Sequence, residues 1–336
     1  MHIEAKRGRM VVKVSSKYLR VLAALAMAVT LTRSMSTASS ADVTTFRIGQ
    51  SSPANTFLAI WMADDAGFYE ANGLKLEIVP MAGGRDMAQA FATGRIDAMH
   101  IGLSSVVRAN AANADIRAFG SLSNVIRFAL FGKAGVKTAD DLKGGTVAIS
   151  SLGSESDATL TLMLGKLGLS RADVQIKELG LPRLAAVEAG TVTATALNEP
   201  DRSRAYAAGL TALVDLAPQR VPWLFTGLVA KRDYINDHHE TMLRFLKATI
   251  LGNRLAISDE QRAKAVLKKQ FGTSDQSIID ISYADFKEQT PRNAEIDPEA
   301  ARAVIERIAK PDASHDLNDY IDTSLPAVLK AEGFFK

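Results

Sequence analysis

Twice in this chain a short apolar run stops at a pair of serines and re-enters as a helix. "FRIGQSSPANTFLAIWM" begins at Phe46 and "TVAISSLGSESDATLTLML" at Thr146. A second pair of segments keeps the same step. "AFATGRIDA" (90–98) and "AVEAGTVTA" (186–194) each end a helix at glycine and start a strand that closes on alanine. The match is too loose for a short repeat array. It describes instead two related α/β units within one chain.

Within the first unit the pattern alternates. "TTFRIGQ" (44–50), "LKLEIVP" (74–80) and "RIDAMHIGLSS" (95–105) read as strands. "NTFLAIWMADDAG", "GGRDMAQAFATG" and "VVRANAANA" read as the helices between and after them, with Gly67 suited to the left-handed stop of the first. The order βαβαβα predicts a parallel sheet with helices on its faces. The expected fold is therefore α/β, with two similar doubly wound lobes joined by two crossing segments. "SLSNVIRFALFGKAG" (121–135) and "VPWLFTGLVAKRDYI" (221–235) are the apolar runs that could carry the chain across. This places 42–125 plus 228–336 in the first lobe and 126–227 in the second. From about Asn236 the pattern is helical, with Met242, Phe245, Leu246 and Ile250 on one face.

The first forty residues stand apart. Lys13, Lys17 and Arg20 precede the apolar run Val21 to Leu31, followed by "TRSMSTASSA". A basic start, a short apolar stretch and small residues before a cut read as a secretory signal peptide over 1–41. Cleavage is expected near Ala41 or at Ala38, and Met10 could serve as the true start. The whole chain has 40 Lys and Arg against 37 Asp and Glu, and residues 1–41 hold seven of those bases and one of those acids. The remainder carries 33 bases and 36 acids, a net charge of −3. No basic surface for nucleic acid is implied. There is no cysteine, so thiol catalysis, thiolate metal sites and lipid attachment at a leading cysteine are excluded.

In parallel sheets ligands bind beyond the carboxyl ends of the strands. That rule nominates Ser51, Ser52, Gly83, Gly84, Ser104 and Ser105 in the first lobe, with Asn55 at the following helix start. In the second lobe it nominates Ser150, Ser151, Gly153 and Ser154, and Asn198 after the next strand. The turn "SSLGSES" lacks the G-x-S-x-G elbow of a serine nucleophile. Anion cradling by a helix start suits it better. Ser154 or Ser156 would also cap that helix, while Glu155 and Asp157 use part of its positive end. Arg85 and Arg183 stand at matching places and could pair with a sulfonate or carboxylate. Phe57 and Trp61 fit a core stripe, and Trp223 fits a hinge contact. "DHHE" (237–240) puts its histidines side by side, which is not the i, i+4 spacing of helical metal ligands, so no metal is expected.

Several phrases resemble the solute-binding proteins of ABC importers, in the group for nitrate, sulfonates, taurine and thiamine-pyrimidine precursors. They are Gly67-Phe68, Gly73-Leu74, Gly94 to Asp97-Ala98, and Asp141-Leu142-Lys143-Gly144, within a resemblance covering roughly 44–250. Gly145 and Thr193 depart from the group's lysine and aspartate. The resemblance implies a type II periplasmic binding protein, free in the periplasm and monomeric. It would close over a small organic anion or zwitterion and deliver it to a membrane permease and its ATPase, without a cofactor. Asn198-Glu199-Pro200 resembles the group's Glu-Pro at the cleft, which would turn Glu199 toward cationic or donor groups of the solute. A binder of thiamine-pyrimidine precursors is the alternative, and an enzyme of precursor synthesis on the same fold, using pyridoxal phosphate, is a further one. That enzyme branch carries a cysteine-rich motif, which this chain lacks.

Overall fold

The structure, a computed structural model, describes residues 43–81 and 84–335. The expected signal peptide and Gly83 lie outside the described residues, as does the side chain of Arg85. Ten strands are β1 (Thr44–Gln50), β2 (Leu74–Pro80), β3 (Ala98–Ile101), β4 (Ile116–Val125), β5 (Ala129–Gly132), β6 (Thr146–Ile149), β7 (Gln175–Glu178), β8 (Ala194–Leu197), β9 (Thr211–Asp215) and β10 (Pro222–Lys231). They form two sheets of five, in the orders β2-β1-β3-β10-β4 and β7-β6-β8-β5-β9. Each has three parallel strands, then one antiparallel strand that leads to the edge.

The two sheets coincide in detail. Ile48 pairs with Ala98 in one, and Val147 with Ala194 in the other. Gly94 and Gly190 take left-handed φ values of 69° and 70° at the equivalent helix ends, where a side chain would strain the backbone. Just beyond, Asp97 Oδ2 accepts the Arg47 amide at 2.7 Å, and Thr193 Oγ1 accepts the Thr146 amide at 3.0 Å. Aspartate and threonine thus perform one task at one place. The second lobe's two departures from the group pattern also meet: a Cβ on Gly145 would stand 2.6 Å from Thr193 Oγ1. A residue larger than glycine does not fit beside that threonine.

The crossings are short. β4 and β10 both belong wholly to the first sheet, and β5 to the second. The chain passes over at 126–128 and returns at 216–221, so residues 222–227 lie in the first sheet, not in the second lobe as expected. The cause is the pairing of β10 with β3 and β4 along its length. The two passages bond each other: the Ile126 amide donates to the Val221 carbonyl at 3.1 Å, and Leu216 to Phe128 at 3.0 Å.

Alternation in β1 buries Phe46 and Ile48 completely. Phe46 stacks on Phe245, with ring centroids 4.2 Å apart. Phe245 belongs to the helix His239–Ser258, whose Met242, Leu246 and Ile250 are also fully buried. That helix lies against Leu58–Asp65 at Gly252, where a Cβ would come 2.3 Å from the Ala59 carbonyl oxygen. Only glycine permits this approach. Phe57 and Trp61 sit in the same core, and Gly67, at φ 69°, ends the helix that carries Trp61.

One element starts earlier than its pattern implies. The strand expected over 95–105 stops at Ile101, and the next helix runs Leu103–Asn110. Ser104 and Ser105 therefore occupy a first helical turn and not a strand end. The group that caps this turn comes from the other lobe.

Candidate functional site

A cleft of about 130 Å³ lies where the carboxyl ends of the parallel strands of both sheets converge. Ser51 and Ser52 reach it from the end of β1, and Ser105 from the helix after β3. Ser150 and Ser154 face them from the turn after β6, Arg183 from the helix after β7, and Asn198 from the end of β8. These seven expected residues are brought together by the fold. Thr56, His100, Phe225 and Thr226 complete much of the wall. Phe225 and Thr226 lie on β10, so their place follows from sheet membership.

The opening serines form a bonded cluster. Ser150 Oγ lies 2.8 Å from Ser154 Oγ and 2.9 Å from Ser156 Oγ, and the latter two are 3.0 Å apart. Ser154 occupies the N-cap position of helix Glu155–Lys166, but its hydroxyl makes no cap bond. It donates to the Ser151 carbonyl at 2.6 Å. The expectation that Ser154 or Ser156 caps the helix is corrected here. Ser156 Oγ instead accepts the Ser150 amide, and Asp157 holds the turn by accepting from the Gly153 amide at 2.9 Å. Gly153 has φ 84°, a left-handed turn suited to glycine. Arg171 anchors Asp157 at 2.7 Å. The hydroxyls bond mainly one another, so each can turn to a guest at the cost of a neutral hydrogen bond.

Glu155 does something the sequence does not disclose. It belongs to the second lobe, yet its carboxylate crosses to the first. Oε1 accepts the Ser104 amide at 2.9 Å, and Oε2 accepts Ser104 Oγ at 2.9 Å and Trp223 Nε1 at 2.7 Å. It thereby caps the helix Leu103–Asn110 from outside, where negative charge is favoured. Burial pushes its pKa up to about 7, against the pull of Trp223 and Ser104. A Cβ on Gly102 would meet this side chain at 2.2 Å, so Gly102 leaves the room it needs.

Among the described residues that line the cleft, Arg183 is the cation. Nη1 donates to the Gly180 carbonyl, while Nε is buried without a partner. Burial lowers its pKa to about 10, which leaves it charged at neutral pH. A half-buried guanidinium with an unused donor suits a carboxylate or sulfonate oxygen. His100 is pushed down to about 4 by burial, and its Nε2 lies 3.3 Å from the Thr56 carbonyl. It is therefore a neutral imidazole at neutral pH.

Other expected residues are placed elsewhere. Glu199 is 2 % exposed and faces Ser203 Oγ at 2.6 Å and Arg202 Nη1 at 2.9 Å, not the cleft. Burial raises its pKa. Asn55 donates to the Ser282 carbonyl and to Asp285, beside the buried Arg127. Both serve a polar network that ties the second lobe to the C-terminal helix Gln276–Gln289. Ser104 is used by Glu155. Ser151 and Gly153 line a neighbouring cavity. Gly84 opens the helix Gly84–Ala92, and its surroundings, like the Arg85 side chain, lie outside the described residues. Among the described residues no group of three His, Asp or Glu could hold a metal, and no helix is long and apolar enough to cross a membrane.

The family model described as NMT1/THI5 like matches residues 54–263. The riboflavin-binding protein RibY of Chloroflexus aurantiacus is 27 % identical over 218 residues, 62 % of this chain and 61 % of that protein's length. The periplasmic aliphatic sulphonate binding protein SsuA of Escherichia coli superposes with a TM-score of 0.60 at 25 % identity, over 74 % of this chain and 85 % of its own. The desulfurization enzyme DszB shares the fold, with a TM-score of 0.64 at 16 % identity over 86 % of this chain and 99 % of its own. With the family model covering more than half of the chain, this chain belongs to the NMT1/THI5-like family.

Proposed function

We propose that the chain is the solute-binding component of an ABC-type importer and that it holds the anionic head of a small organic solute between its lobes. The observation that carries this reading is the half-buried Arg183, whose Nε is buried and unpartnered, among serine hydroxyls contributed by both lobes. A guest touching both sets of donors binds the closed form better than the open one, which is what closure requires. The short passages at 126–128 and 216–221 would be the hinge. In this reading the leader over 1–41 directs export to the periplasm and is removed. The loaded, monomeric protein then meets a membrane permease and its ATPase, and no cofactor takes part.

The head group is a sulfonate or carboxylate, because the cleft's free capacity is donors and a cation. With Glu199 committed to Ser203 and Arg202, a cationic group on the solute gains no partner there. The related riboflavin-binding and sulfonate-binding proteins agree with a binding role over an enzymatic one.

Calorimetric titration with ethanesulfonate, taurine, small carboxylates and nitrate tests this. A sulfonate or carboxylate should bind, and Arg183→Ala should weaken it about 10- to 100-fold, the worth of a charged hydrogen bond. Unchanged affinity in Arg183→Ala would overturn the assignment of the head-group site.

A further inference from the structure

We propose that the solute also has an apolar body and that a second chamber, opening off the serine cleft, receives it. This rests on the binding role above but makes a separate claim about ligand class. The chamber measures about 570 Å³, within the roughly 300–1,000 Å³ typical of organic-ligand sites. The serine cleft, at about 130 Å³, has room only for a head group. Met87, Ile101, Ser105 and Ser154 line both cavities, so one molecule can occupy the two together.

The chemistry of the walls is specific. Met87 and Phe91 come from helix Gly84–Ala92, Met99 and Ile101 from β3, and Ile116 from β4. A polar body would lose its hydration against these side chains with no bond in return. An alkyl chain or ring loses nothing, and the thioethers can adapt to its shape. Among the described residues the charged groups of the lining are Arg108, Glu178 and Lys231, and the Lys231 ammonium lies 5.4 Å from the Phe91 ring centroid. The opposite wall is the second lobe's turn, Ser151 to Ser154, where Leu152 is 62 % exposed. An exposed leucine at an apolar chamber is surface that a ligand body would cover. Because the chamber has walls from both lobes, its occupant adds to the preference for closure.

The test is calorimetry on the purified chain with two series, ethanesulfonate to octanesulfonate and ethanol to octanol. Affinity for the sulfonates should rise about threefold to fourfold per methylene until the chamber fills. Ala109→Trp, which fills the chamber, should flatten that rise and leave ethanesulfonate binding unchanged. Ala92→Phe, on another wall, does the same if the first variant fails to fold. Short sulfonates binding with no gain from length would overturn the chamber and keep the anionic head group. Long alkanols binding in a manner blocked by Ala109→Trp, with no sulfonate bound, would keep the chamber and overturn the head group. Binding by neither series would overturn both.

Discussion

The two sheets agree in strand order, in register and in the hydrogen bond that follows each glycine turn, yet they are covered very differently. Behind the first lies a large apolar mass, in which Phe46, Tyr69 and Phe245 stack beneath the C-terminal helices. The second has much less of its own: small clusters around Phe131 and Leu197, and around Val187 and Val192, beside the core it shares with the first. Its serine turn is held by polar contacts, with Asp157 on Gly153 and three serine hydroxyls on one another. Apolar burial is broad and insensitive to direction, whereas a hydroxyl bond is easily exchanged for another. The first lobe thus provides the fixed wall and the second the adjustable one.

The contact that joins these unequal halves should give the largest effect. Glu155 has its pKa raised from 4.5 to about 7, so the folded chain holds an extra proton between those values. Stability should therefore fall as pH rises through that window and level off above it. The drop is about 3 kcal/mol. Urea unfolding at about pH 5 and about pH 8 measures it, and Glu155→Gln should remove the slope. An unchanged slope in that variant would show that the lobes are not coupled through this carboxylate.

A smaller effect separates the copies themselves. Asp97→Ala leaves the Arg47 amide without its acceptor and should cost about 2 kcal/mol. Thr193→Ala deletes the equivalent bond in the second lobe, a neutral one, and should cost about 1 kcal/mol. Equal losses in urea unfolding would mean that aspartate and threonine are interchangeable at this turn. A loss only at Asp97 would mean that the second bond is incidental.

Much of this architecture was legible in local pattern. The Ser-Ser strand ends, the glycine stops at Gly67, Gly94 and Gly190, and the helical stripe through Phe245 all rest on residues a few positions apart. The partners of Glu155, Glu199 and Asn55 were not legible, because distant segments supply them. Ser104 is 51 residues from Glu155, and Ser282 is 227 from Asn55. Sequence reading assigned Glu155 to its own helix start; packing gives it to another helix in the other lobe. Glu199 follows a strand end, as a ligand contact should, but Ser203 one turn later and Arg202 capture it. The β10 boundary was missed because an apolar run reads alike in either sheet.

The central claim is closure of two lobes over one guest. The chain has no cysteine, so Gln89→Cys on the first lobe and Lys177→Cys on the second can each carry a nitroxide without competing sites. Double electron–electron resonance then reads the distance between them, with and without the tightest-binding alkanesulfonate. The account predicts a broad distribution that narrows to a single short distance at saturation. Identical distributions in both samples would contradict it.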